Sequence, residues 1–240
     1  MTLILRDLAG MDEFRQAEAL QRAVWGEGDK EDPADLMMVI QAEGGLVAGA
    51  FEDGALLGYI FGFPTVTAGV QHSHRLAVLD SARGRGIGPR LKWYQRDWCL
   101  ARGITLVRWT YDPLRRVNAL MNITRLGAQV STYLPDYYGA MEGINKGTAS
   151  DRLLADWRLN AEAVRACAAG QVGLTPAQMA AALRVEIPFD FEELLGRDPA
   201  AATEERLRVR LALQQAFAQG LVIRGFDAAT SAYLLLAEAQ

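Results

Sequence analysis

Two short stretches hold the residues best suited to chemistry. In LDSARGRGIGPR, Gly84, Gly86 and Gly88 alternate with Arg85 and Ile87, and Arg83 and Arg90 flank the run. Arginines beside glycine-opened backbone point to an anion. Glycine permits positive φ and lets a phosphate reach backbone N–H groups with no Cβ in the way. In VQHSHRLAV, His72 and His74 are the only two histidines of the chain, and simple alternation puts both on one side of a strand. A neutral imidazole with a pKa near ~6.5 can accept a proton at physiological pH. The pair is equally compatible with hydrogen-bonded structural histidines. A metal would need further ligands, and the sequence names none with conviction.

The elements that must position these stretches follow from hydrophobic period and turn residues. Residues 3–8 form an edge strand. A helix begins at Met11 with Met11, Phe14, Ala17, Gln21 and Val24 on one stripe, where only Gln21 is polar. GEGDKEDPAD (26–35) is a polar loop. Two apolar runs around Asp53-Gly54 give a hairpin. HSHRLAVLD is a strand that runs into the glycine loop. The next helix carries Ile87, Leu91, Tyr94, Trp98 and Ala101 at helical spacing and stops at Gly103. ITLVRWTYDP is a strand ended by Pro113, residues 117–126 a short helix, and AQVSTYLP and RLLADWRL two more strands. The order implies a mixed α/β sheet with helices on its faces.

Beyond Asn160 the composition shifts toward alanine. LRVEIP reads as a strand, and Asp198-Pro199 as a helix start with an aspartate cap and proline first inside. GLVIRGFDAATSAYLLLA reads as a terminal hairpin. The expected division is a first domain over 1–159 and a helix-strand extension over 160–240. In that extension Leu183, Val185, Leu221, Ile223, Tyr233 and Leu235 supply the apolar face, and the last strands pair with each other and with LRVEIP, or with a partner subunit. The chain has 240 residues, half of them hydrophobic, with 25 basic against 29 acidic side chains. A net charge of -4 supplies no global field for nucleic acid or anionic lipid, so any phosphate recognition must be local. No apolar run approaches the ~20 residues that span a bilayer. Arg6 and Asp7 interrupt the start too early for a signal peptide, and a cytoplasmic protein is expected.

Three anion motifs compete for the glycine loop. A Walker loop needs lysine and a hydroxyl after its last glycine, and Pro89-Arg90 stands there. A dinucleotide fingerprint needs a third glycine where Pro89 sits, after a first βαβ unit that is missing. What remains is Arg-x-x-Gly-x-Gly between a strand ending LAV and an amphipathic helix. This resembles the pyrophosphate loop of the GNAT acyltransferase superfamily, with Arg83, Gly86 and Gly88 at the motif positions. The likeness extends over residues 3–159, in a branch with HSH, WTYDP and YYG segments.

The resemblance implies a GNAT fold and acetyl-CoA or another acyl-CoA as acyl donor. The pyrophosphate would lie on Arg83, Gly84, Arg85, Gly86, Ile87 and Gly88, and pantetheine would pair with the backbone of Leu76 and Val78. Val78 N–H would serve as the oxyanion donor. Ala119 falls on the family's small residue. The family's frequent asparagine aligns with Arg116, with Asn118 and Asn122 near enough to replace it, and its frequent tyrosine acid aligns with Ile123. Family members often place a carboxylate base six residues before the valine. His72 stands there, so His72 is the expected base, with His74 orienting it or lining the acceptor pocket. A bulge in the family strand leaves the parity of both histidines open. The loop after YLPDYYG carries Asn145, Lys146 and Arg152; Arg152 or Lys146 could bind an acceptor carboxylate, and a solvated loop is equally compatible. Asp112 either caps a turn or faces the acceptor. The implied function is N-acyl transfer to a small amine, with an amino acid as one candidate acceptor, by an enzyme able to form a homo-oligomer. The alternatives are a non-catalytic acyl-CoA-binding module and a His-x-His metal hydrolase.

Overall fold

The computed structural model describes residues 2–26, 30–139, 148–171 and 174–238. The chain forms two compact units that divide within one strand, between Arg108 and Trp109. This division is distinct from the expected boundary at 159/160.

The first unit contains β1 (Ile4–Asp7), α1 (Gly10–Trp25), α2 (Ala34–Ala42), β2 (Leu46–Glu52), β3 (Ala55–Pro64), β4 (Val70–Val78), α3 (Ile87–Leu100) and the start of β5 (Leu106–Tyr111). Its strands are ordered β1-β2-β3-β4-β5, antiparallel except for the β4–β5 pair. The β2–β3 turn is built as its sequence demands, since Asp53 and Gly54 both adopt positive φ, the conformation Asp-Gly supplies to a tight hairpin. Phe14, Ala17 and Leu20 of α1 and Met37 of α2 pack on Val47, Phe51, Tyr59, Phe61 and Ala77 of the sheet. The helix α2 was not legible in the sequence. It is short, and Leu36, Met38 and Val39 leave apolar groups on its exposed side, so no amphipathic period marks it.

The second unit continues β5 and contains α4 (Arg116–Ala119), which runs on as a π-helical turn at Leu120–Arg125. It also holds β6 (Gln129–Leu134), β7 (Arg152–Arg158), α5 (Glu162–Ala168), α6 (Pro176–Ala181), β8 (Leu183–Glu186), α7 (Phe191–Arg197), α8 (Pro199–Ala218), β9 (Leu221–Asp227) and β10 (Ala232–Ala237). Its strands run from β7 through β6, β9 and β10 to β8. The Asp198 side chain accepts from Ala201 N–H at 3.0 Å and Pro199 opens α8, the start read from the sequence. The last strands pair as β9–β10 and β10–β8, and Val130 of β6 pairs with Ile223 of β9. Val185, Ile223, Tyr233 and Leu235 are buried there. Leu183 is not: it is 45% exposed at the first position of β8, although it shares the face of the buried Val185.

Candidate functional site

Strand β4 decides where each candidate side chain goes. Its register with β3 pairs Gly58 with Val78, Tyr59 with Ala77, Ile60 with Leu76 and Phe61 with Arg75, then jumps to Gly62 with Ser73 and Phe63 with His72. His74 is the unmatched residue of a β-bulge. The extra residue resets the alternation. His72, Arg75 and Ala77 share the face of Phe63, Phe61 and Tyr59, which packs toward α1 and α2, while Ser73, Leu76 and Val78 lie on the α3 face. His74 joins the α1–α2 face, with its ring 5.5 Å from those of Phe61 and Phe63. Alternation keeps the two histidines on one face, and the bulge puts that face opposite the Val78 side chain.

The two imidazoles differ sharply. His72 stacks on Phe63 with centroids 5.0 Å apart and is half-buried. Burial, with the positive charges of His74 and Lys92 behind it, pushes its pKa down to about 4. His74 is more open, and its Nε2 lies 3.2 Å from Asp32 Oδ1. Asp32 sits before α2, and its second carboxylate oxygen is 2.9 Å from Arg75 Nε. Burial opposes ionisation of Asp32, but hydrogen bonds and charge from His74 and Arg75 outweigh it and hold the carboxyl below its ordinary range. Gln21, the polar interruption in the α1 stripe, fixes this loop. It donates to Asp32 O at 3.2 Å and accepts from Asp32 N–H at 2.8 Å. Arg75 adds a bond to Lys30 O at 2.6 Å and lies over the Trp25 ring.

The other end of β4 presents backbone. Leu79 N–H donates to Leu57 O of β3 at 2.9 Å, and strand alternation then turns the N–H groups of Leu76 and Val78 away from β3. That edge faces β5, whose parallel register with β4 ends at His72 and Arg108. A turn at Asp80–Ala82 leads into the glycine loop. Gly84 and Gly86 adopt φ of +78° and +72°, and nothing lies within 4 Å of a Cβ built on either. Gly86 is the cap residue of α3 and lacks a side-chain cap, so the first-turn N–H groups are left for a ligand. Ile87 is buried, so it offers only backbone. Gly88 has no positive φ, and a Cβ there would only touch Leu76 and Val78 at ordinary distances. Arg83 pairs with Asp80 at 2.8 Å in the open, and Arg85 at the surface holds the less exposed Glu52 carboxylate at 2.6 and 3.1 Å. Such surface pairs are weak, so either arginine can turn to a phosphate at small cost.

On the α3 face below the histidines lies a buried polar cluster that the sequence did not reveal. Lys92 Nζ donates to Ser73 Oγ at 3.0 Å and to Gln95 Oε1 at 2.8 Å. Gln95 donates to Gln71 Oε1 at 2.7 Å, and Cys99 Sγ lies 3.3 Å from the same oxygen. Burial pushes Lys92 down to about 7 and Cys99 up to about 12.

In the second unit, Ala119 and Asn122 are buried and Asn118 is half-buried on α4. Ile123, at the family's tyrosine position, is 2% exposed and has no proton to give. Asp112 caps: its Oδ1 accepts from Leu114 N–H at 2.8 Å, and Arg206 of α8 clamps both carboxylate oxygens at 3.3 and 2.9 Å. Arg152 is buried, donates to Asp151 O and lies 3.9 Å from Asp112, so it is committed within the unit. Asn145 and Lys146 fall outside the described residues. Among the described residues no group of three or more His, Cys, Asp or Glu could hold a metal ion, and no helix is long and apolar enough to cross a membrane.

A comparison with curated proteins found no match. Solved structures with the same fold include aminoglycoside 6'-acetyltransferase type Ii, at 19% identity and a TM-score of 0.55, with 66% of this chain and 99% of that one covered. The ribosomal-protein-S18-alanine N-acetyltransferase from Escherichia coli matches at 16% identity and a TM-score of 0.54, covering 67% and 96%. An aminoglycoside 6'-N-acetyltransferase complexed with coenzyme A matches at 17% and 0.52, covering 66% and 98%. About a third of this chain therefore lies beyond what such structures align with. Residues 11–121 match the model of the acetyltransferase (GNAT) family, a span that includes β4, the glycine loop and α3.

Proposed function

We propose that the chain is an acyl-CoA-dependent N-acyltransferase that passes an acetyl or related acyl group directly to a small amine. The observation that carries this reading is the adjacency of two backbone devices: the open Gly84–Gly88 cradle at the start of α3, and the β4 edge at Leu76 and Val78 turned away from β3. The cradle suits a pyrophosphate, because unpaired N–H groups and the helix dipole both favour negative charge there. The strand edge can pair with an amide-bearing arm, and Val78 N–H can stabilise charge developing on a thioester oxygen. Bound acyl-CoA supplies an activated acyl group whose leaving thiol has a pKa near ~8.5, so the loss of the tyrosine acid at Ile123 is tolerable.

The Gly86→Val substitution tests the reading. The built Cβ meets no protein atom, so the protein folds, with φ strain of about 1–2 kcal/mol. The branched side chain fills the cradle. Calorimetry should then show acetyl-CoA affinity falling by at least ~10²-fold, as lost phosphate contacts of a few kcal/mol imply. A folded variant with unchanged affinity refutes the loop assignment.

A further inference from the structure

We infer that Asp32 is a positioning residue that holds His74 as the proton-accepting base, and that His72 is an aromatic wall beside it. The inference rests on the acyltransferase reading above. Among the described residues, three observations carry it: the Nε2–Oδ1 contact, the bulge that turns His74 toward Asp32, and the fixing of Asp32 by Gln21 and Arg75.

An ionised carboxylate only accepts hydrogen bonds. At 3.2 Å from Asp32 Oδ1, His74 Nε2 must therefore carry the proton, which leaves the Nδ1 lone pair as the acceptor. Asp32 is held at its backbone by Gln21 and at its carboxylate by Arg75, so the imidazole orientation is set before any substrate arrives. His72 has no such hydrogen-bond partner among the described residues. Its ring stacks on Phe63 and resists protonation at neutral pH.

Position along the strand separates the two further. A base must reach the amine directly or through water. At ~3.3 Å per residue, His74 stands about 6 Å nearer than His72 to Val78, where the thioester oxygen would bind. In the reaction the amine nitrogen forms a bond to the carbonyl carbon while its proton passes through water to Nδ1 of His74. The C–S bond breaks, the electron pair leaves on sulfur, and the imidazolium returns its proton through solvent to give the free thiol. The charged and titratable groups facing His74 are Asp32 from the loop before α2, and Arg75 and His72 from β4 itself.

The test uses the full chain labelled with ¹⁵N-histidine. With two histidines, a single His72→Gln variant assigns both. At pH 9 the wild-type His74 ring should carry its proton on Nε2, and Asp32→Asn should give a mixture of tautomers. With acetyl-CoA as donor and glycinamide, ethanolamine and spermidine as acceptor probes, Asp32→Asn should lower kcat for thiol release by about 10²-fold, the usual cost of a misaligned group. KM for acetyl-CoA should stay within about twofold, as Asp32 is far from the loop, and Asp32→Glu should recover part of kcat. A wild-type His74 protonated on Nδ1, or a folded Asp32→Asn protein with unchanged kcat, overturns the inference. Failure of the wild type to bind acetyl-CoA overturns the acyltransferase reading instead, and the tautomer measurement still decides whether Asp32 sets the His74 ring.

Discussion

The two faces of β4 are built from neighbouring residues and behave in opposite ways. On one face His74, Asp32 and Arg75 form a charged group with solvent access, anchored by hydrogen bonds to α1 and to the loop before α2. On the other, Ser73, Gln71, Lys92, Gln95 and Cys99 form a closed polar cluster in which the one basic group is pushed toward neutrality. Charge is kept where water and a carboxylate support it, and suppressed where burial offers only neutral acceptors. A single-residue bulge at His74 assigns residues to the two faces. Proton transfer is expected from the open face, and pH-dependent stability from the closed one.

The largest expected effect lies on the open face. His74→Ala should lower turnover by ~10²–10⁴-fold, the usual contribution of a general base. His72→Ala should cost less than about tenfold. Its imidazole is neutral from physiological pH down to about 4, so its removal should leave any rate inflection above pH 5 in place. Its own signature is in stability. The unfolded histidine titrates at 6.5 and the folded one at about 4, so between these values the unfolded chain binds more protons. Stability should rise with pH through that window and lose this component in His72→Ala, as read by chemical denaturation at pH 4–7. A His72→Ala protein with the greater loss of turnover would reverse the comparison.

Much of this arrangement was legible beforehand, and the gaps have physical causes. The glycine loop before α3 could be read as a backbone feature because alternating glycines between a strand and an amphipathic helix suit positive φ, which Gly84 and Gly86 adopt. Strands β2 to β4 and helix α3 declared themselves by period and by the Asp53-Gly54 turn. Gln21 stood out as the polar break in the α1 stripe, but its partner, the backbone of Asp32, is invisible to periodicity. Asp32 therefore passed as one more charge in a polar loop. The bulge has no sequence signature here, since HSHR alternates as well with the extra residue as without it. Without it, both histidines share the parity of Val78, and His72 was favoured because it stands six residues before that valine. Lys92 and Gln95 lie outside the apolar spacing of Ile87, Leu91 and Trp98, so nothing in the helical period marks them for burial. They are buried because β4 offers Ser73 and Gln71 directly opposite.

On the closed face the expected effect is of intermediate size. Lys92 titrates at about 7 when folded against 10.5 when unfolded, so between those values the unfolded state binds the extra proton. Stability should therefore climb from pH 7 to 10.5, by up to about 1.4 kcal/mol per pH unit for this group, and be insensitive to it below 7. Lys92→Met keeps the length and removes the titration. Denaturant midpoints should show the variant more stable than wild type by about 1–4 kcal/mol at pH 7, with the difference shrinking toward pH 10. A variant less stable than wild type at pH 7 would mean that the cluster holds the fold together more than it strains it.

The smallest effect separates the hydrogen bonds of that cluster from its charge. Ser73 Oγ accepts from Lys92 Nζ at 3.0 Å and lies 3.3 Å from Gln95 Oε1, which Lys92 also reaches at 2.8 Å. In Ser73→Ala the Gln95 amide oxygen keeps its lysine donor, and Lys92 loses one acceptor. The cost should be about 0.5–1.5 kcal/mol near pH 9, where much of the folded population carries a neutral amine. Below pH 7 it should be larger, because an ammonium deprived of an acceptor suffers more than an amine does. The same loss should carry the folded pKa of Lys92 below 7 and extend the rising limb of the stability curve to lower pH. Turnover should be unchanged, since Ser73 faces α3 while His74 and Asp32 face α1 and α2. If Ser73→Ala instead lowers turnover with stability intact, the two faces of β4 are coupled through the bulge, and the separation drawn between them fails.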